Sequence, residues 1–191
     1  MNRREQVLDA ALRLFRRYGF RKTTVDEIAA EAGVGKGSVY LEFPSKEDLF
    51  FALVEEHERA ILAEVRLVAD SRRKLPKRLT EVALVRPFRN FDELQQLPEA
   101  FEMLASLRGR LAERIRPYYV QCEQLVAELI REGCVSGCFR VANPAAAARV
   151  FYSAFEVAFV FTMQGMERAT LEKTLRSLAG LLMTGLSGEG Q

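Results

Sequence analysis

The 191-residue sequence predicts an all-α protein in two parts: an N-terminal three-helix, helix-turn-helix domain fused to a larger C-terminal helical domain. Three observations carry that prediction. Apolar residues recur at three- and four-residue spacing along almost the whole chain, and no run alternates apolar with polar residues as a half-buried strand would. Helix-start pairs, in which Asn, Thr or Ser is followed three residues later by an acid, punctuate the first 48 residues. The composition, 49% hydrophobic and 28% charged, is that of a globular chain able to build a sizeable core.

Each element has its own local warrant. Asn2 with Glu5 opens a first helix whose inner stripe is Val7, Ala11, Leu14, Phe15 and Tyr18, and Gly19 stops it. Thr24 with Glu27 opens a short second helix carrying Val25, Ile28, Ala29 and Ala32, which ends at Gly33. A third short helix, Lys36–Phe43, follows the glycine turn and is closed by Pro44. Ser45 with Asp48 starts a long helix with Phe50, Leu53, Val54, Ile61, Val65 and Val68 on its inner side. Two short helices joined by a tight turn fit the helix-turn-helix pattern, and the domain boundary is placed near Lys46, giving residues 1–46 and 47–191.

Beyond that boundary Ser71–Pro76 reads as a basic break and Arg86–Pro98 as an irregular stretch containing Pro87. Helices are expected from about Pro98 to Arg108 and from about Leu111 to Glu132. Asn143-Pro144 caps a helix running to Met163 that is apolar on nearly every side and so must be covered all round. Thr170 is expected to cap a last helix bearing Leu171, Leu175, Leu178, Leu182 and Leu186.

Composition removes several classes. The longest apolar-rich stretch, Val150–Met163, is shorter than a bilayer span and is broken by Ser153 and Glu156, so no membrane segment is expected. The N-terminus lacks an apolar leader, and a cytoplasmic location is expected. Cys122, Cys134 and Cys138 have no framework or metal-ligand spacing, so reduced thiols and no metal are expected. A net charge of +2 gives no bulk attraction to nucleic acid; any DNA footprint must be local.

The run from Thr23 through Leu49, with Gly33-Val34-Gly35-Lys36-Gly37-Ser38-Val39-Tyr40 at its centre and Phe43-Pro44-Ser45-Lys46 after it, resembles the DNA-binding segment of TetR-family transcriptional regulators. Ala10–Phe20 resembles the family's first helix, so the likeness spans roughly residues 5–50. Thr23 and Thr24 stand at a helix start, where hydroxyls and free amides can hold a phosphate. Lys36, Gly37 and Ser38 open the third helix, where side chains and bare backbone can approach base edges in the major groove. Tyr40 and Lys46 occupy positions where the family usually touches phosphates, with a packing-only role the alternative for Tyr40. Asp26 is either a partner of the helix dipole or a reader of cytosine. Arg3 and Arg4 either reach a flanking phosphate or are solvated. Leu41 and Glu42 depart from the basic or aromatic-basic pair common in the family. Leu41 can touch a thymine methyl and Glu42 can accept from cytosine, or both point away.

The resemblance implies a C-terminal domain that binds a small effector and dimerises through its last two helices, with Phe155 and Leu182 either at that interface or in an internal core. A homodimer suits a pseudo-palindromic double-stranded operator. Phe88, Phe91, Met103, Tyr118, Tyr119, Cys122, Phe151, Phe155 and Phe159 can line an apolar cavity for an apolar or amphipathic effector, or form plain core. The long helix from Ser45 is the natural lever by which such an effector relieves repression. His57 is read as an interior or boundary histidine, and Glu156 as needing a partner, water or exposure.

Enzymatic readings fail on residue type. His57 is the sole histidine and has Val54, not Glu, three residues before it, which excludes a di-iron bundle motif. No Ser or Cys elbow accompanies it, and the Gly33–Gly37 run matches neither nucleotide-binding fingerprint. No cofactor is expected. A protein-interaction module that has lost DNA binding is the remaining competitor, motivated by Glu42 and the weak local positive field.

Overall fold

The computed structural model describes residues 2–97, 104 and 106–188, and among these it contains nine α-helices, one 3-10 turn and no strand. Helix α1 (Arg3–Tyr18) begins with a reciprocal cap: the Glu5 amide donates to the Asn2 side chain at 2.8 Å, and the Asn2 amide donates to the Glu5 carboxylate at 2.9 Å. Gly19 follows at φ 82, a value that favours glycine. Helix α2 (Val25–Ala32) carries the same device, Thr24 with Glu27, and stops at Gly33 in the left-handed conformation. Helices α3 (Lys36–Glu42) and α4 (Lys46–Ala69) follow; the Ser45 hydroxyl accepts from the Asp48 amide at 3.0 Å.

The chain divides into two compact units, Met1–Arg59 with Asp92–Arg116, and Ala60–Phe91 with Pro117–Gln191. That division passes through α4 between Arg59 and Ala60, whereas the sequence reading set its boundary near Lys46. The first unit's core joins Val7, Ala11 and Phe15 of α1, Ile28 of α2, Val39 of α3 and Leu49 and Phe51 of α4, with Leu111 added from far along the chain. This core locks the inner side of α3 through Val39 and fixes which of its residues face outward.

Helix α5 (Leu75–Leu94) corrects the expected irregular stretch, because it runs through Pro87 unbroken. Proline removes the bond to the Ala83 carbonyl and costs ~3 kcal/mol. Val82, Ala83, Leu84, Val85, Arg86 and Pro87 are buried in succession, and burying each large apolar side chain returns ~1.5–3 kcal/mol, so packing wins. Helix α6 (Arg108–Val135) follows. The expected helix at Pro98–Arg108 falls mostly outside the described residues, as does Met103.

The expected single helix from Pro144 to Met163 is α7 (Pro144–Ser153), a 3-10 turn (Ala154–Glu156) and α8 (Val157–Met163). The tighter turn keeps Phe155 buried and Glu156 exposed. By length and composition Pro144–Met163, 20 residues with an 18-residue window of mean hydropathy 1.3, is long and apolar enough to cross a bilayer, a segment longer than the Val150–Met163 stretch weighed from the sequence. It nevertheless contains Arg149 and Glu156, and it buries Phe151, Tyr152, Phe155, Ala158 and Thr162 within its unit. Helix α9 (Arg168–Ser187) starts before Thr170, so Thr170 is not its cap; the Leu171 amide already donates to the Glu167 carbonyl at 2.9 Å. The second unit's core gathers Ile61, Val65, Leu79, Val126, Ile130, Phe151, Leu171 and Leu175.

Candidate DNA-recognition surface and second-unit core

Helix α3 is short, and its orientation follows from one buried side chain. Val39 is 1% exposed, and at about 100° per residue the positions opposite it are 37 and 41. Gly37 and Leu41 therefore form the centre of the outward face. Lys36 and Tyr40 flank it on one side, Ser38 and Glu42 on the other. Leu41 is 83% exposed and Tyr40 45%, while Lys36 and Glu42 are exposed and Ser38 is half-buried. A Cβ added at Gly35 or Gly37 would meet nothing within 4 Å, so these glycines leave open space on the surface.

The surrounding polar groups are more engaged than sequence suggested. Lys36 Nζ donates to the Asp26 carboxylate at 2.9 Å, and that bond raises the lysine's pKa. Asp26 thus serves as the partner of a cation on the next helix, a role outside both readings made for it. Thr23 is a correction: it is buried, and its hydroxyl donates to the Gly19 carbonyl at 2.8 Å, so that hydroxyl is turned away from any phosphate. Thr24 is exposed at the start of α2, where its backbone and hydroxyl donate to Glu27 and lower the glutamate's pKa. Lys46 is also reassigned. Its ammonium donates to the carbonyls of Phe20 at 2.8 Å and Thr23 at 2.9 Å and lies 4.4 Å from the Phe20 ring centroid. Partial burial lowers its pKa. Its first role is to tie the α1–α2 loop to the start of α4. Arg4 pairs with Glu56 at 3.3 Å and lies over the Phe43 ring, while Arg3 is exposed.

In the second unit Cys122, Phe151 and Phe155 are buried, and Phe88 and Tyr118 are partly buried against the same core. Phe155 packs its ring, tilted by 52°, against that of Phe151 with centroids 5.5 Å apart, which favours its core reading over an interface one. Phe159 of α8 is 38% exposed. Sequence reasoning missed Arg86, which is 4% exposed within this core. Its Nε donates to the Tyr152 hydroxyl at 3.2 Å, and its guanidinium lies 5.4 Å from the Tyr119 ring centroid. Burial, then the nearby Glu156 carboxylate, push the Tyr119 phenol up to about 12, and burial raises the Tyr152 phenol further. The only sequence signal was an arginine amid apolar residues at helical spacing, masked by the proline after it.

Three successive helices, α1 to α3, with the core-locked short α3 presenting Lys36, Gly37, Tyr40 and Leu41, define the helix-turn-helix class of nucleic-acid-binding domains. Residues 7–53 match the model of the tetR family of bacterial regulatory proteins, and residues 76–178 match the tetracyclin repressor-like C-terminal domain. The chain belongs to the TetR family of DNA-binding transcriptional regulators. It is 29% identical over 135 residues to the nucleoid occlusion factor SlmA of Shewanella halifaxensis, covering 69% of this chain and 68% of that one. Among solved structures, a transcriptional regulator from Cytophaga hutchinsonii superposes with a TM-score of 0.77 at 22% identity, over 96% of this chain and 97% of that one. The regulator FadR of Bacillus subtilis, in complex with stearoyl-CoA, superposes with a TM-score of 0.69 at 21% identity, over 95% and 98%.

Proposed function

We propose that the protein is a ligand-responsive repressor that binds a pseudo-palindromic operator as a homodimer in the cytoplasm. The observation that carries this reading is the outward face of α3, which a rigid core holds away from its own unit. In this reading the N-terminal domain, residues 1–46, meets DNA: Lys36, Gly37, Ser38, Tyr40 and Leu41 enter the major groove, and Thr24 lies at its phosphate edge. Lys46 and Thr23 act from behind by holding the turn.

Residues 47–191 form the effector and dimerisation domain. Support for dimerisation through the last helices is the exposure of apolar side chains on each of them: Val150 of α7 is 64% exposed, Val160 and Met163 of α8 are 48% and 53%, and Leu181 of α9 is 74%. Uncovered apolar residues on consecutive elements suit an isologous contact. Support for an amphipathic effector is the placement of Arg86, Tyr119 and Tyr152 at an apolar core that includes Phe151, Phe155 and Cys122, with Phe88 packed against it. FadR's complex with stearoyl-CoA supports the same class of molecule.

The test is operator affinity by fluorescence anisotropy with and without stearoyl-CoA and free straight-chain fatty acids. Weakened operator binding that saturates with one of these is the expected result. A probe that binds tightly and leaves operator affinity unchanged contradicts ligand-responsive repression.

A further inference from the structure

We infer that Leu41 reads the 5-methyl group of a thymine, so that each operator half-site contains a thymine recognised by its methyl and not by a hydrogen bond. The inference rests on the reading of α3 as the helix that enters the major groove. Among the described residues of the first unit, the exposed large apolar side chains are Tyr18, Tyr40 and Leu41, and only Leu41 lacks a polar end. It is also by far the most exposed of the three. Its position is not incidental. Leu41 and Gly37 are four residues apart on the line opposite buried Val39, so this line meets the groove floor while the flanking residues meet its walls. Gly37 presents no side chain, and the space beside it is open, which lets this ridge approach the base edges closely. The branched tip of Leu41 is then the side chain at the centre of the approach.

The chemistry of the groove selects its partner. Every base edge there offers donors or acceptors, which lose water without recompense when an aliphatic group covers them. The thymine methyl is the apolar exception. On the flanks, Tyr40 and the Asp26-paired Lys36 share one side, and Glu42 lies on the other, where its carboxylate leaves the central contact apolar.

The experiment starts from an operator selected in vitro with the intact protein. Each thymine of a half-site is replaced in turn by deoxyuridine, which removes only the methyl. One position per half-site is expected to weaken wild-type binding about fourfold, the effect of one buried methyl-sized group. At that position 5-methylcytosine is expected to bind better than cytosine. In Leu41→Ala, whose exposed site leaves thermal stability unchanged, both differences vanish while the salt dependence of binding stays as in the wild type. Deoxyuridine tolerated at every position, or methyl sensitivity retained by Leu41→Ala, overturns the inference with the operator reading intact. A selection that returns no motif overturns both.

Discussion

Lys46 shows how a single side chain can carry a role different from the one its position suggests. A lysine following Phe43-Pro44-Ser45 was expected at a phosphate, yet its donors meet the carbonyls of Phe20 and Thr23. Lys46→Met keeps the aliphatic stem beside Phe20 and leaves those carbonyls without their donor. It is expected to destabilise the protein by about 1–3 kcal/mol in urea unfolding. Its slope of log affinity against log salt is expected to match the wild type, whereas loss of a true phosphate contact lowers that slope by about 0.9. Thr24 and Glu27 carry a pH signature of their own. Because bonds from Thr24 depress the Glu27 pKa, its contribution is present above the ordinary carboxylate range and fades as pH falls through the lowered value. Thermal melts at descending pH are expected to show wild type and Glu27→Gln converging under acid conditions. Adjacent Thr23 and Thr24 mark a limit of sequence reading. They are the same residue type in the same turn, and only the fold decides that one hydroxyl is buried and the other exposed.

At the scale of elements, what was legible was local. Caps at Asn2, Thr24 and Ser45 were readable because both partners lie within four residues, and the stop at Gly33 because a left-handed residue favours glycine. Helix α5 was misread because proline's local cost is visible in sequence, while the burial on either side that outweighs it is not. Arg86 was hidden for the same reason. The Asp26–Lys36 pair joins α2 to α3 across ten residues, a separation at which spacing alone assigns no partner. Near the C-terminal end of α6 the fold makes a sharper demand than the sequence announced. A Cβ at Gly133 would overlap the ring of Phe139, which is itself 3% exposed. Gly133→Ala is therefore expected to cost about 1–3 kcal/mol through displacement of that ring, read as a lowered unfolding midpoint. A midpoint equal to the wild type's would mean that the ring repacks without penalty.

For the whole molecule, the proposed function has a near-neutral chain bind DNA through local arrangement and through symmetry. In that reading two copies double a modest footprint, so the exposed apolar residues Val150, Val160, Met163 and Leu181 matter as much as α3 itself. Leu181→Glu, at a position 74% exposed in one protomer, is expected to leave the fold intact, shift sedimentation to the monomer and weaken operator binding more than tenfold. An unchanged sedimentation coefficient would remove Leu181 from the interface. The family's two-part plan was legible from Thr23–Leu49 because that run fixes a turn, a cap and an aromatic at set offsets. The contribution of Leu111 to the first core was not, since it joins residues far apart in the chain.

The most direct measurement is unbiased selection of duplex DNA by the purified protein, repeated at several salt concentrations. Operator recognition by a symmetric pair of α3 helices predicts recovery of an inverted repeat, with half-sites about one helical turn or a multiple of it apart, and affinity that falls as salt rises. Failure to bind any duplex even at low salt would contradict it and leave the helix-turn-helix as an interaction module.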